Sequence, residues 1–119
     1  MKHRIALTIA CTVLGMTSMA QAADPAGSIE NGHKLYMKNM CFTCHGTVGQ
    51  GGERGAGPKL APNPFPFVAF EMQLRTPRGL MPRFPKEFVS DQDLADIYSY
   101  VASVKAGPAV RDIPLLQNF

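Results

Sequence analysis

An all-α fold is the class this sequence predicts, and three observations carry the prediction. Apolar residues recur at helical spacing in three separate stretches. No run alternates apolar and polar residues long enough to make a strand. Between the helical stretches the chain is rich in Gly and Pro and reads as loop.

The first stretch begins at Ser28, a residue suited to capping a helix. Ile29, Gly32, Tyr36 and Met40 then follow at i, i+3, i+7 and i+11 on one face, with Lys34 and Lys38 off that stripe. From Gly46 to Pro66 the Gly and Pro content predicts loop. Phe67, Phe70 and Leu74 mark a short amphipathic helix that should stop near Thr76-Pro77, and Met72 on it is expected to pack in the core. Arg78 to Pro85 is a second turn-rich loop. Ser90 with Asp93 forms an S-x-x-D start for a last helix carrying Leu94, Ile97, Tyr98 and Val101, which Gly107-Pro108 should end. The final eleven residues form a tail with an apolar patch at Ile113, Leu115 and Leu116.

The 119-residue chain has room for one domain, and its first stretch lies outside that domain. Met1-Lys2-His3-Arg4 is a basic start, Ile5 to Met16 is apolar apart from Thr8 and Thr12, and Ala20-Gln21-Ala22 is an A-x-A site. That order describes a secretory signal cleaved after Ala22, so residues 1–22 are expected to be lost and residues 23–119 to form the domain. The apolar run is short of the ~20 residues of a spanning helix, so no membrane span is expected after cleavage. A lipid anchor on Cys11 is disfavoured, because Thr8 stands where a lipobox wants an aliphatic residue. Export points to the periplasm.

Removing 22 of 119 residues leaves 97, a size that buries only ~65% of its unfolded surface and gains from a staple. Lys2 and Arg4 leave with the signal, so ten of 12 basic residues remain against nine acidic ones. That balance gives no support to a nucleic-acid partner. The Gly-rich loop does not make a phosphate cradle. Lys59 follows Pro58, no Ser or Thr follows it, and no strand precedes the glycines.

Cys41-Phe42-Thr43-Cys44-His45 is C-x-x-C-H, the haem-attachment signature, and it occurs once. Two thiols three residues apart on a helical turn can each reach one vinyl group of the same haem. The imidazole that follows can then meet the iron from that side. A redox disulfide would use C-x-x-C without needing His45. A zinc site needs four ligands, and the mature chain offers two Cys and two His, with His33 on another helix face.

The mature chain resembles the class I c-type cytochromes along almost its whole length. The likeness is carried by Gly32, Leu35-Tyr36, Cys41 to Gly46, Gly57-Pro58-Lys59-Leu60, Met81-Pro82 and Leu94 to Val101. It implies a cytochrome c-like fold of three to four helices around one covalently bound haem c, with Cys41 and Cys44 as attachment points and His45 as axial ligand. It also implies that the first and last helices cross at Gly32, where the missing side chain admits Tyr98. The Pro58 carbonyl is expected to accept a hydrogen bond from the far nitrogen of His45.

The sixth ligand has several candidates. Met37 and Met40 should share the attachment side, Met72 sits on a helix, and Met81 lies on a loop that can wrap to the opposite face. The family's M-P context favours Met81. Arg54, Lys59, Arg75, Arg78, Arg83 and Lys86 occupy segments expected around the haem, with Arg75 and Arg78 the best propionate partners. The function implied is periplasmic electron transfer by a carrier or an electron-transfer subunit, not by an enzyme. It would take electrons from a periplasmic dehydrogenase and pass them to a downstream cytochrome or terminal oxidase of the respiratory chain. A haem enzyme or gas sensor with an open sixth site is the rival reading.

Overall fold

The structure, a computed structural model, describes residues 24–52 and 56–117. The cleaved-signal expectation and Arg54 lie outside the described residues. The elements run α1 (Ile29–Lys38), α2 (Phe42–His45), α3 (Phe67–Arg75) and α4 (Asp91–Ser103), then two 3-10 turns at Val110–Asp112 and Pro114–Leu116. There is no strand among the described residues, and the domain is all-α as predicted.

Both long helices start where side chains can cap them. The Ser28 hydroxyl accepts the Asn31 N–H at 3.2 Å. Ser90 and Asp93 form a reciprocal capping box at the head of α4. At its other end α4 stops at Ser103, four residues short of the expected Gly107-Pro108, because Val104 turns extended and folds its side chain partly onto the core.

Helices α1 and α4 cross at Gly32, where backbone meets backbone. A Cβ there would overlap the Asp96 carbonyl and lie 2.9 Å from Tyr100 Cβ. The residue admitted is therefore Tyr100 and not Tyr98. The Tyr98 ring instead meets Phe67 and Phe70 edge-on, each at 5.2 Å, and so joins α4 to α3.

Tyr36, Phe70, Leu74, Val89, Leu94, Ile97 and Val101 make the centre of the core. The α1 stripe buries only its middle. Gly32 and Tyr36 are buried, Ile29 is exposed, and Met40 lies past the helix end in a left-handed conformation, φ 60°. Met72 departs from the core position expected of it and is exposed on the solvent side of α3. Of the tail's apolar patch, Leu115 and Leu116 are exposed and Ile113 is half-buried.

One polar group is buried between the crossing helices. Asp96 Oδ1 accepts the Ser28 N–H at 2.8 Å and Gln92 Nε2 at 2.9 Å, and Oδ2 accepts Asn31 Nδ2 at 2.7 Å. Burial alone would raise its pKa. The bonds from Asn31, Ser28 and Gln92 outweigh burial and hold the carboxyl below its usual range.

Candidate haem site

Three residues of the attachment motif lie on one short turn. Backbone bonds from the Cys44 and His45 N–H groups to the Cys41 carbonyl, at 3.4 and 3.0 Å, wind Cys41 to His45 into helix. Gly46 ends it at φ 78°, a conformation that favours glycine. Cys41 is half-buried, Cys44 is exposed, and both thiols are free. Burial pushes the Cys41 thiol up to about 11, so it is a neutral thiol at neutral pH.

His45 is buried at 8% exposure, and its Nδ1 lies 2.8 Å from the Pro58 carbonyl oxygen. A carbonyl only accepts, so Nδ1 carries the proton, and in the neutral ring that leaves the lone pair on Nε2. The loop that delivers Pro58 is tied down around this ring. Gly51 N–H donates to the His45 carbonyl at 2.8 Å, and Gly52 N–H to the Gly57 carbonyl at 3.1 Å. A Cβ on Gly57 would lie 2.6 Å from the Cys44 carbonyl oxygen and 3.0 Å from His45 Nδ1. Only glycine lets the loop come this close.

Two tyrosines that sequence reading assigned no site role complete the cradle. Tyr36 Oη donates to the Gly46 carbonyl at 2.7 Å from α1, and Tyr100 Oη to the Thr47 carbonyl at 2.9 Å from α4. Their rings meet edge-on with centroids 5.4 Å apart. The helix crossing thus holds the segment just after His45 from both sides.

The loop bearing Met81 is bound to α3 along its length. Gln73 Oε1 accepts the Arg78 N–H at 3.4 Å, and Gln73 Nε2 reaches the Arg78 carbonyl at 3.3 Å and Met81 Sδ at 3.7 Å. Phe84 N–H donates to the Leu74 carbonyl at 2.9 Å. Arg75 reaches further along: Nη1 donates to the Phe84 and Val89 carbonyls at 2.8 and 2.7 Å, and Nη2 pairs with Asp91 at 2.8 Å. These three bonds give Arg75 a structural task that its sequence position did not disclose. Its Nε remains buried without a partner. Met81 is half-buried against the core, and Arg78 is exposed.

The other candidates lie away from this arrangement. Met72 and Met40 are exposed, and His33 is exposed with its ring 4.9 Å from Tyr100. Lys86 pairs with Asp91 at 2.7 Å, Arg83 Nε donates to the Arg75 carbonyl at 3.0 Å, and Lys59 is exposed. Among the described residues no cluster of three or more His, Cys, Asp or Glu could hold a metal ion. None of their helices is long and apolar enough to cross a membrane.

The donor set fits haem. Two free thiols one helical turn apart, and an imidazole whose Nε2 is the unprotonated nitrogen, are what a covalently held iron porphyrin requires. An all-α domain built round such a turn defines a class, the c-type cytochrome. The family model described as cytochrome C oxidase, cbb3-type, subunit III matches residues 27–101, and the chain belongs to that family. Comparison with curated proteins and with solved structures returned no match. Membership makes covalently bound haem c the cofactor and haem-based electron transfer the activity.

Proposed function

We propose that this domain is a periplasmic single-electron carrier, reduced by a dehydrogenase and oxidised by a downstream cytochrome or terminal oxidase of the respiratory chain. The hydrogen bond between His45 Nδ1 and the Pro58 carbonyl carries the reading, because it presents Nε2 as a ready iron ligand. In this reading Cys41 and Cys44 form the two thioethers, His45 and Met81 are the axial ligands, and the exposed Arg78 serves a propionate, while Arg75, with both Nη atoms committed to the chain and Nε buried, braces the loop instead. The leader directs export and is cleaved after Ala22.

Bound there, haem supplies a ferric/ferrous couple that takes one electron and returns one. The chain does the rest. Pro58 holds the imidazole in one tautomer and orientation, while the bonds from Gln73 and Arg75 hold the Met81 loop against α3. Both ligand-bearing segments are fastened to helices, so neither needs to move when the charge on the iron changes. Dehydrogenase donors fit the compartment the leader implies, and the oxidase end of the route fits the family.

The test is spectroscopic. Oxidised protein should show the weak near-infrared band of thioether bound to ferric haem, and reduced protein should bind carbon monoxide poorly. Absence of the band with ready carbon monoxide binding would replace the carrier by an open-site haem protein. Co-purification of a dehydrogenase from the native host would identify the donor; a chain retaining Met1 with haem attached would show that the leader stays on as an anchor and is not cleaved.

A further inference from the structure

Gln73 stands on the last turn of α3, directly before Leu74, which is 5% exposed in the core. The helix turn beneath it is therefore held by packing. Its side-chain amide has three contacts, all with the following loop: the Arg78 N–H, the Arg78 carbonyl and Met81 Sδ. An amide nitrogen carries two protons, so Nε2 can serve a carbonyl and a sulfur together. The turn it closes is tight and bare on its outer side. Gly79 sits at φ 73° with nothing within 4 Å of a Cβ there, and Leu80 is fully exposed. Nothing packs the turn from outside, so the amide is what fastens it from within.

We propose that Gln73 is the positioning residue for the Met81 thioether, fixing its orientation and tuning its strength as a donor. The inference rests on Met81 being the sixth ligand. A thioether sulfur has two lone pairs. With one given to iron, the N–H of Gln73 takes the other, and this selects one of the two arrangements of the Met81 methyl group about sulfur. The same hydrogen bond draws electron density from sulfur. Ferric iron depends on donor strength more than ferrous iron does, so the bond favours the ferrous state and raises the potential.

The test uses full-length holoprotein carrying Gln73→Leu or Gln73→Met, neither of which has an N–H to offer. Gln73→Met is unbranched and a good helix former, so it keeps the experiment readable if the leucine variant folds poorly. Removing the donor should shift the ferric/ferrous equilibrium toward ferric by about threefold, or about 30 mV at 59 mV per tenfold. It should also change the pattern of Met81 methyl signals by NMR and hasten cyanide binding to the ferric form. Met72→Leu, one residue away but exposed, should leave all three unchanged. An unchanged potential and unchanged methyl pattern in a Gln73 variant that keeps its near-infrared band would overturn the proposal while leaving Met81 as ligand. Faster cyanide binding alone would overturn it too, since it would mean that Gln73 only braces the loop. A wild type without the band would remove the ligand reading, and this inference with it.

Discussion

Asp96→Asn should destabilise the domain at neutral pH and lose that effect in acid. The substitution keeps the shape of the side chain and removes its charge. In the wild type three donors converge on this carboxylate, from Ser28, Gln92 and Asn31 at 2.8, 2.9 and 2.7 Å. Hydrogen bonds to a charged partner contribute ~1.5–3 kcal/mol each and neutral ones ~0.5–1.5, a difference of about 1 kcal/mol per bond. Asn31 and Gln92 are on the surface and can turn to water, so the expected loss is about 2 kcal/mol rather than three. The folded-state pKa of Asp96 is depressed. Its stabilisation is therefore complete above the unfolded value of about 3.9 and is lost as pH falls through the lower folded value. Guanidinium unfolding of the holoprotein, followed by far-UV circular dichroism, should show the gap between wild type and variant at pH 7. The gap should narrow as pH falls below about 4 and close once Asp96 is protonated in the folded state, where it becomes a near-isostere of asparagine. A gap that persists undiminished in acid, or one under ~0.5 kcal/mol at pH 7, would refute the charge-based account of this network.

Gly32→Ala should lower stability by about 2 kcal/mol, because the new methyl meets the backbone carbonyl of Asp96 and the gain in helix propensity offsets only part of the overpacking. Thermal melts of the holoprotein would check this, and an unchanged or raised melting temperature would show that the helices can separate at little cost. Gly57→Ala places a carbon 3.0 Å from His45 Nδ1 and should push the Pro58 carbonyl off the ring. A less basic imidazole stabilises ferric iron less, so the potential should rise; spectroelectrochemical titration measures it.

What was legible in the sequence was local. C-x-x-C-H needs only a turn of helix to bring its parts together, and Ser90 with Asp93 caps α4 within four residues. The exposure of Met72 was legible too: at 100° per residue it lies about 200° round the helix from both Phe70 and Leu74, hence on the opposite face. The role of Gln73 was not legible, because no periodicity marks a polar residue whose amide turns back onto its own following loop. Arg75 was hidden for the same reason. Its bonds go to backbone carbonyls nine and 14 residues on, and backbone carbonyls leave no trace in a sequence. Asp96 reads as a surface residue of an amphipathic helix until the close approach at Gly32 places it beneath the first turn of α1. The Pro58 contact with His45 could be expected only by likeness, since the loop between them must fold back through Gly51, Gly52 and Gly57 to make it.

Covalent attachment through Cys41 and Cys44 is the claim on which the whole account turns, and intact-mass measurement tests it most directly. Protein purified from a host able to mature c-type cytochromes should be heavier than its polypeptide by one haem. Acid-acetone extraction should leave the colour on the protein, and Cys41→Ala with Cys44→Ala together should abolish both results. Haem that passes into the organic phase, leaving a chain of bare polypeptide mass, would contradict the account.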